Sequence, residues 1–220
     1  MKRVAVTGLG VISPVGNDVP TFWNALCSGT CGIGPITKFD ATDYPVKLAA
    51  EVRDFDPRQY MEKLDILHSD VYTHFAMAAA CQAVADSGIA GTLDAERVGV
   101  YIGSGIGGIA TFMTEHSKLL NRGPRRVSPY FIPMMIPNMA SSMIAMRYHF
   151  HGPAMPMVTA CASGTNAIGE ALRLIRHGYA DAMVAGGAEA TVNALAAAGG
   201  LSSVEYLAYW GYAASAVTVI

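Results

Sequence analysis

Charge is scarce in this chain. Asp, Glu, Lys and Arg make up only 15% of its 220 residues and balance to a net charge of −2. Such a balance gives no global basic surface for nucleic acid. Cysteine is scarce too. Four stand at 27, 31, 81 and 161, and only Cys27 and Cys31 are close together. Without a second pair no zinc site is expected, and no other metal or cofactor. A chain this long and 52% hydrophobic does not need disulfides, so a reduced, cytoplasmic protein is expected. No apolar run is suited to crossing a membrane. Tyr206 to Ile220 is charge-free but about fifteen residues long, short of the roughly 20 a span requires. Val127 to Met146 is long enough, but Pro129, Pro133 and Pro137 interrupt it. The start, MKRVAVTGLG, is broken at Thr7, Gly8 and Gly10, and reads as a first strand rather than a signal peptide.

What is present reads as alternating strands and helices. Arg3 to Val11 is expected as a strand, followed by a helix capped by Asn17 or Asp18 and carrying Phe22, Trp23 and Leu26. GLG at 8–10 begins like a dinucleotide fingerprint, but no third glycine follows at the right spacing. Cys31 to Tyr60 reads as irregular, with short strands such as Lys47 to Val52. Tyr72 to Ser87 is an alanine-rich helix stopped by Gly88. Val98 to Gly103 is a buried strand leading into GSGIGG. That turn lacks the lysine of a phosphate-binding loop, so a close-packed turn beside a pocket is expected. Four prolines make Arg122 to Pro137 mostly extended or looped. Asn138 to His149 is a helix with Met139, Met143 and Met146 on one stripe. Ala154 to Thr159 and Asp181 to Gly186 are further strands. The order implies an α/β layered fold.

The stretch Val158 to Gly178, VTACASGTNAIGEALRLIRHG, passes from a strand through Cys161 into a helix with Ile168, Leu172 and Ile175 recurring on one face. Cys161 therefore stands near a helix start. The unpaired amides and the dipole there favour a thiolate and could hold an oxyanion. Small neighbours, Ala160, Ala162, Ser163 and Gly164, leave room for a carbonyl. Two readings remain on local pattern alone: an activated nucleophile, or a buried structural cysteine.

With DAMVAGGAEA following, this stretch resembles the active-site segment of the β-ketoacyl-acyl-carrier-protein synthases, type II especially. RVAVTGLGVISPVGN, GSGIGG and SPYFIPMMIPNMAS resemble the same family in the same order, over residues 1–198. The resemblance implies a thiolase-like fold with two layered α-β-α halves, of which this chain holds mainly the first, and a homodimer. It implies a decarboxylative Claisen condensation in fatty-acid elongation. An acyl group from acyl carrier protein would pass to Cys161 and be attacked by the carbanion of a malonyl thioester. Cys161 would be the nucleophile, with its backbone N–H an oxyanion donor. Ile106 matches a residue gating the acyl pocket, and Arg125 and Arg126 a basic pair meeting the acidic carrier protein. The 138–149 helix and the 154–159 strand would lie at or near the dimer interface.

Three departures qualify this. Family members run to about twice this length, and the two histidines and lysine serving decarboxylation and condensation lie in the second half. None of the six histidines here matches those motifs. EKLDILHSD, at 62–70, lacks the arginine-rich pattern usual there. From Gly199 to Ile220 an atypical apolar tail takes over, read as a helix covering the place of the second half. The halves' shared apolar face should then be covered by association or by this tail. A non-catalytic dimerising scaffold, or a chain that self-acylates without condensing, are the competing readings.

Overall fold

The computed structural model describes residues 3–199 and 215–219. In chain order the strands and helices are β1 (Gly8–Ile12), α1 (Val19–Cys27), β2 (Ile33–Pro35), β3 (Leu48–Ala50), α2 (Lys63–Leu67) and α3 (Val71–Ser87). There follow β4 (Val98–Gly103), α4 (Ile109–Arg122), α5 (Phe131–Met135), α6 (Met139–Tyr148) and β5 (Ala154–Met157). The last are α7 (Ser163–Arg176), β6 (Ala182–Ala188), α8 (Ala194–Gly199) and β7 (Ser215–Val219). β2 and β3 pair by themselves, and the other five strands form one sheet in the order β1-β7-β6-β4-β5. β4 runs parallel to β5 and β6, whereas β7 runs antiparallel to β1 and β6.

The sheet is covered on both faces. α3 and α6 pack on one side against Ile12, Val98, Val100, Ile102 and Val184. α7 packs on the other against Tyr101, Met183 and Ala185. This is the expected α-β-α layering, and it follows from β4 and β6 being apolar at nearly every position.

α3 is buried almost all round because its alanines let it lie close to β1. A side chain at Gly10 would run into the Ala79 carbonyl, and one at Gly8 into the Ala83 carbonyl. The GLG triplet is thus a packing device, where the helix backbone comes nearest the strand. The outer edge of β1 is also held by α3. The Leu9 amide donates to Asp86 Oδ2 at 3.0 Å and the Val11 amide to Gln82 Oε1 at 3.1 Å, so this edge is blunted. On the far side, the buried Ser141 hydroxyl of α6 sits between β4 and β5. It accepts from the Ile102 amide at 3.0 Å and donates to the Met155 carbonyl at 2.9 Å.

Several expectations need adjusting. The first strand begins at Gly8 rather than Arg3, because its ladder with β7 covers only Gly8–Ile12. The proline-rich stretch is less extended than expected. It holds a 3₁₀ turn, Pro124–Arg126, and the short helix α5. Pro133 is the third residue of α5, where an N–H would have no intrahelical acceptor to lose. The methionine stripe divides: Met143 is buried, Met139 packs against the core, and Met146 is 62% exposed. α7 buries Ala167, Ala171 and Ile175, while Ile168 stays exposed. Of the apolar tail, residues 215–219 form a strand within the sheet rather than a helix, and residues 200–214 lie outside the described residues.

Gly10→Ala and Ser141→Ala are each expected to lower stability by about 1–3 kcal/mol, the first by overpacking and the second by stranding two buried backbone groups. Gly169→Ala, whose new methyl would meet nothing within 4 Å, should instead raise it by up to about 1 kcal/mol. Urea unfolding midpoints of the three variants check both signs.

Candidate active site

Strand order locates the crevice. The connection leaving β4 passes through α4 and α5 and ends in α6 on one face of the sheet, whereas that leaving β5 runs through α7 on the other. Adjacent parallel strands whose exits diverge leave a gap beyond their carboxyl ends, the usual ligand position in such sheets. The two loops bordering this gap are the GSGIGG turn at 103–108 and the Val158–Ala162 segment.

Cys161 is exposed and unoxidised, two residues ahead of α7. The chain reverses sharply beside it. Ala160 adopts φ 52°, a left-handed conformation costing a non-glycine residue roughly 1–2 kcal/mol. A hydrogen-bond cluster holds that conformation. The buried Ser163 hydroxyl accepts from the Thr159 amide at 2.9 Å and donates to the Ala160 carbonyl at 2.6 Å. The Asn166 amide group donates to Thr159 Oγ1 at 2.7 Å. The first turn of α7 lies directly on the ends of β4 and β6. A side chain at Gly103 would meet the Ser163 backbone, and one at Gly187 would lie 2.8 Å from the Gly164 Cα. Only glycines allow that approach, which brings the amino end of the helix to the sheet's carboxyl end.

Two carboxylates, buried Asp70 and half-buried Glu189, fix the GSGIGG turn. Asp70 caps α3, accepting from the Tyr72 amide at 3.3 Å, and its other oxygen accepts from the Thr111 amide in the first turn of α4 at 2.7 Å. One side chain thus caps two helices. On the opposite side, Glu189 Oε2 accepts from the Gly105 amide at 2.7 Å and the Ile106 amide at 3.3 Å. Burial pushes the Glu189 carboxyl above the usual glutamate range, and the amide hydrogen bonds only partly offset it. Ile106 is half-buried at the tip of this turn. Neither acid emerged from the sequence reading. Asp70 could have been found as a cap before an apolar helical run, but a lone glutamate after a strand carries no such signal.

Arg125 and Arg126 lie elsewhere, exposed on the 3₁₀ turn after α4, and neither forms an ion pair among the described residues. Buried Glu115 braces that turn. It accepts from Lys118 Nζ at 2.6 Å and from the Ser128 amide at 2.7 Å. Burial would raise this carboxyl, but the Lys118 ammonium and the two hydrogen bonds outweigh it and hold it below the usual range. His68, from the EKLDILHSD stretch, stacks on Tyr130 just beyond the turn, with ring centroids 3.7 Å apart.

Among the described residues no histidine is hydrogen-bonded to Cys161. His74 is buried with Nε2 3.2 Å from the Ile66 carbonyl. His151 pairs with Glu96, while His149 and His177 terminate α6 and α7. No group of three His, Cys, Asp or Glu side chains is arranged to hold a metal ion among the described residues. No helix among them is long and apolar enough to cross a membrane.

The model of the β-ketoacyl synthase N-terminal domain matches residues 1–208. The chain is similar to 3-oxoacyl-[acyl-carrier-protein] synthase 2 of Coxiella burnetii, 48% identical over 207 residues, covering 94% of this chain and 50% of that protein. The enzyme of the same name from Synechocystis is 47% identical over 199 residues, or 90% of this chain and 48% of the relative. The chain thus spans about half the length of the curated relatives it matches. Among solved structures, the ishigamide ketosynthase/chain length factor superposes with a TM-score of 0.82 at 29% identity, covering 90% of this chain and 51% of that one. A β-ketoacyl synthase from Burkholderia phymatum gives 0.82 at 25% identity, covering 100% and 59%. The layered fold is therefore that of the thiolase-like ketosynthases.

Glu115→Gln should cost about 1–3 kcal/mol at neutral pH by weakening charge-assisted hydrogen bonds. Because the folded carboxyl titrates below its unfolded value, its contribution is full above about pH 4.3 and disappears as the pH falls through the folded value. Unfolding of the parent and the variant between pH 7 and pH 3 should show their difference shrinking in acid.

Proposed function

The chain belongs to the β-ketoacyl synthase family, and from that premise we propose that it carries the acyl-accepting half of a 3-oxoacyl-acyl-carrier-protein synthase acting in the cytoplasm. The observation that carries this reading is the placement of Cys161. It is exposed, on a strained elbow, at the diverging carboxyl ends of β4 and β5 and beside the amino end of α7. A thiolate there meets the positive end of a helix. Cys161 gives up its proton and its sulfur attacks the carbonyl carbon of an acyl thioester; the bond from that carbon to the carrier's sulfur breaks, and the departing carrier thiolate takes up a proton, regenerating its thiol. The Cys161 amide is a donor to the tetrahedral oxyanion.

Ile106 borders the acyl pocket, since the GSGIGG turn forms the facing wall of the crevice. Arg125 and Arg126 present free positive charge to an acidic carrier protein. The condensing step needs malonyl thioester and the histidines of a second half. The described residues account for acylation of Cys161, and the condensing step draws on that second half. The assembly is a homodimer joined through β5, an edge strand whose Met155 is 53% exposed. A second reading, a dimerising scaffold without chemistry, draws on the absence of a histidine bonded to Cys161 among the described residues.

Incubation with acyl-carrier thioester should give a mass shift on the Cys161 peptide that Cys161→Ala abolishes. Malonyl-carrier should then give no ketoacyl product until a second-half fragment is added. The absence of any Cys161 adduct would favour the scaffold. Arg125→Glu with Arg126→Glu should slow acylation from the carrier at least tenfold, with the defect shrinking as salt is raised. Met155→Lys should shift sedimentation from dimer towards monomer.

A further inference from the structure

Acyl transfer to Cys161 assigns no task to Glu189, although this carboxylate is held at the same crevice. It follows β6 directly, between the buried Ala188 and Ala190. Both of its contacts to the turn amides use one oxygen, Oε2, at 2.7 Å to Gly105 and 3.3 Å to Ile106. The Ser104 hydroxyl stands 3.4 Å from each carboxylate oxygen and itself accepts from the Gly107 amide at 2.9 Å. Four successive residues of the turn are thus tied, directly or through Ser104, to one side chain.

The same turn also lies against the nucleophile's elbow. A Cβ built on Gly105 would lie 3.1 Å from Glu189 Oε2, 3.5 Å from the Ala160 Cα and 3.6 Å from the Ala160 carbonyl oxygen. Gly105 therefore lies next to both the carboxylate and the residue preceding Cys161. Ile106 is the next residue, and its own amide is one of the two that Glu189 binds. Keeping a charge in a half-buried place has a cost, and an apolar residue could fill the volume. What an apolar residue could not do is fix two consecutive amides of a glycine-rich turn, a segment otherwise free to adopt several conformations.

We propose that Glu189 is a positioning residue that pins the GSGIGG turn against the Ala160–Cys161 elbow and so sets, through the direction of Ile106, the length of apolar chain that can reach Cys161. The proposal rests on the reading that Cys161 takes an acyl group with Ile106 at its pocket. It differs from plain structural support in what it predicts. Removing the anchor should change chain-length discrimination at Cys161 more than its intrinsic reactivity.

The test uses the full chain and four proteins: the parent, Glu189→Ala, Glu189→Gln and Glu189→Asp. Glutamine keeps one acceptor oxygen at the same reach, and aspartate keeps the charge but draws it back by one methylene. The first readout is hydrogen exchange at the Gly105 and Ile106 amides. Exchange should quicken at least tenfold in the alanine and aspartate variants and stay near parent in the glutamine variant, with β6 amides unchanged. The second is alkylation of Cys161 by chloroacetamides bearing an ethyl or a dodecyl chain, in which the sulfur displaces chloride, read on the Cys161 peptide. The dodecyl-to-ethyl rate ratio should change at least fivefold in the alanine and aspartate variants and return with glutamine. The iodoacetamide rate should stay within twofold of parent throughout. Should the alanine variant fail to fold, the aspartate variant carries the same comparison. Unchanged exchange at Gly105 and Ile106, or an unchanged ratio despite faster exchange, overturns the proposal. Because these reagents need no acyl carrier, a parent chain that takes no acyl group from thioester would remove the functional reading while the chain-length ratio still decides the role of Glu189.

Discussion

The arrangement depends first on one backbone contact, that of the first turn of α7 with the ends of β4 and β6. At Gly103, Gly164 and Gly187 the helix and the strands meet without side chains between them. Any β-carbon at Gly103 or Gly187 would push the helix outward and carry Cys161 with it. The small buried residues Ala167 and Ala171 continue the close approach along the helix. Towards the start of α7 the larger Ile168 is left 39% exposed, while Ile175, further along, is buried. A helix seated this closely directs its unpaired amides at the mouth of the crevice, where a developing negative charge is best stabilised.

Around that contact, three scarce carboxylates act as backbone anchors. Asp70 joins the starts of α3 and α4, Glu189 holds the turn between β4 and α4, and Glu115 braces the chain after α4. In each case a buried or half-buried acid accepts from main-chain amides of a segment with little apolar surface of its own. Hydrophobic burial secures the sheet and α3, but it cannot specify the shape of a glycine-rich turn or a 3₁₀ turn. Charge-assisted hydrogen bonds can, because they are directional and strong where water is excluded. The low charge content of the chain is consistent with this use, in which a few acids each hold one segment.

Several large apolar side chains are exposed. Val6, Leu9, Trp23, Leu26 and Ile168 are all more than a third exposed, and α1 buries none of its residues. β7 enters the sheet between β1 and β6, giving two strands that would otherwise end as edges a partner on that side.

Much of this was legible in the residues alone. Val98–Gly103 stood out as a strand, and the alanine-rich α3 and the helix after Cys161 stood out by composition and periodicity, since each signal is local. Cys161 could be placed at a strand-to-helix junction, and motif order could suggest its chemistry. Other features needed the tertiary structure. The buried face of α7 was legible only in part: Ile175 is buried, but near the sheet's glycines Ala167 and Ala171 take the buried positions and Ile168 is exposed. GLG became a packing surface only once α3 lay across it. The roles of Asp70 and Glu189 depend on amides 41 and 84 residues away in the chain. A carboxylate's partner at that distance is set by how the layers stack, which no local pattern encodes.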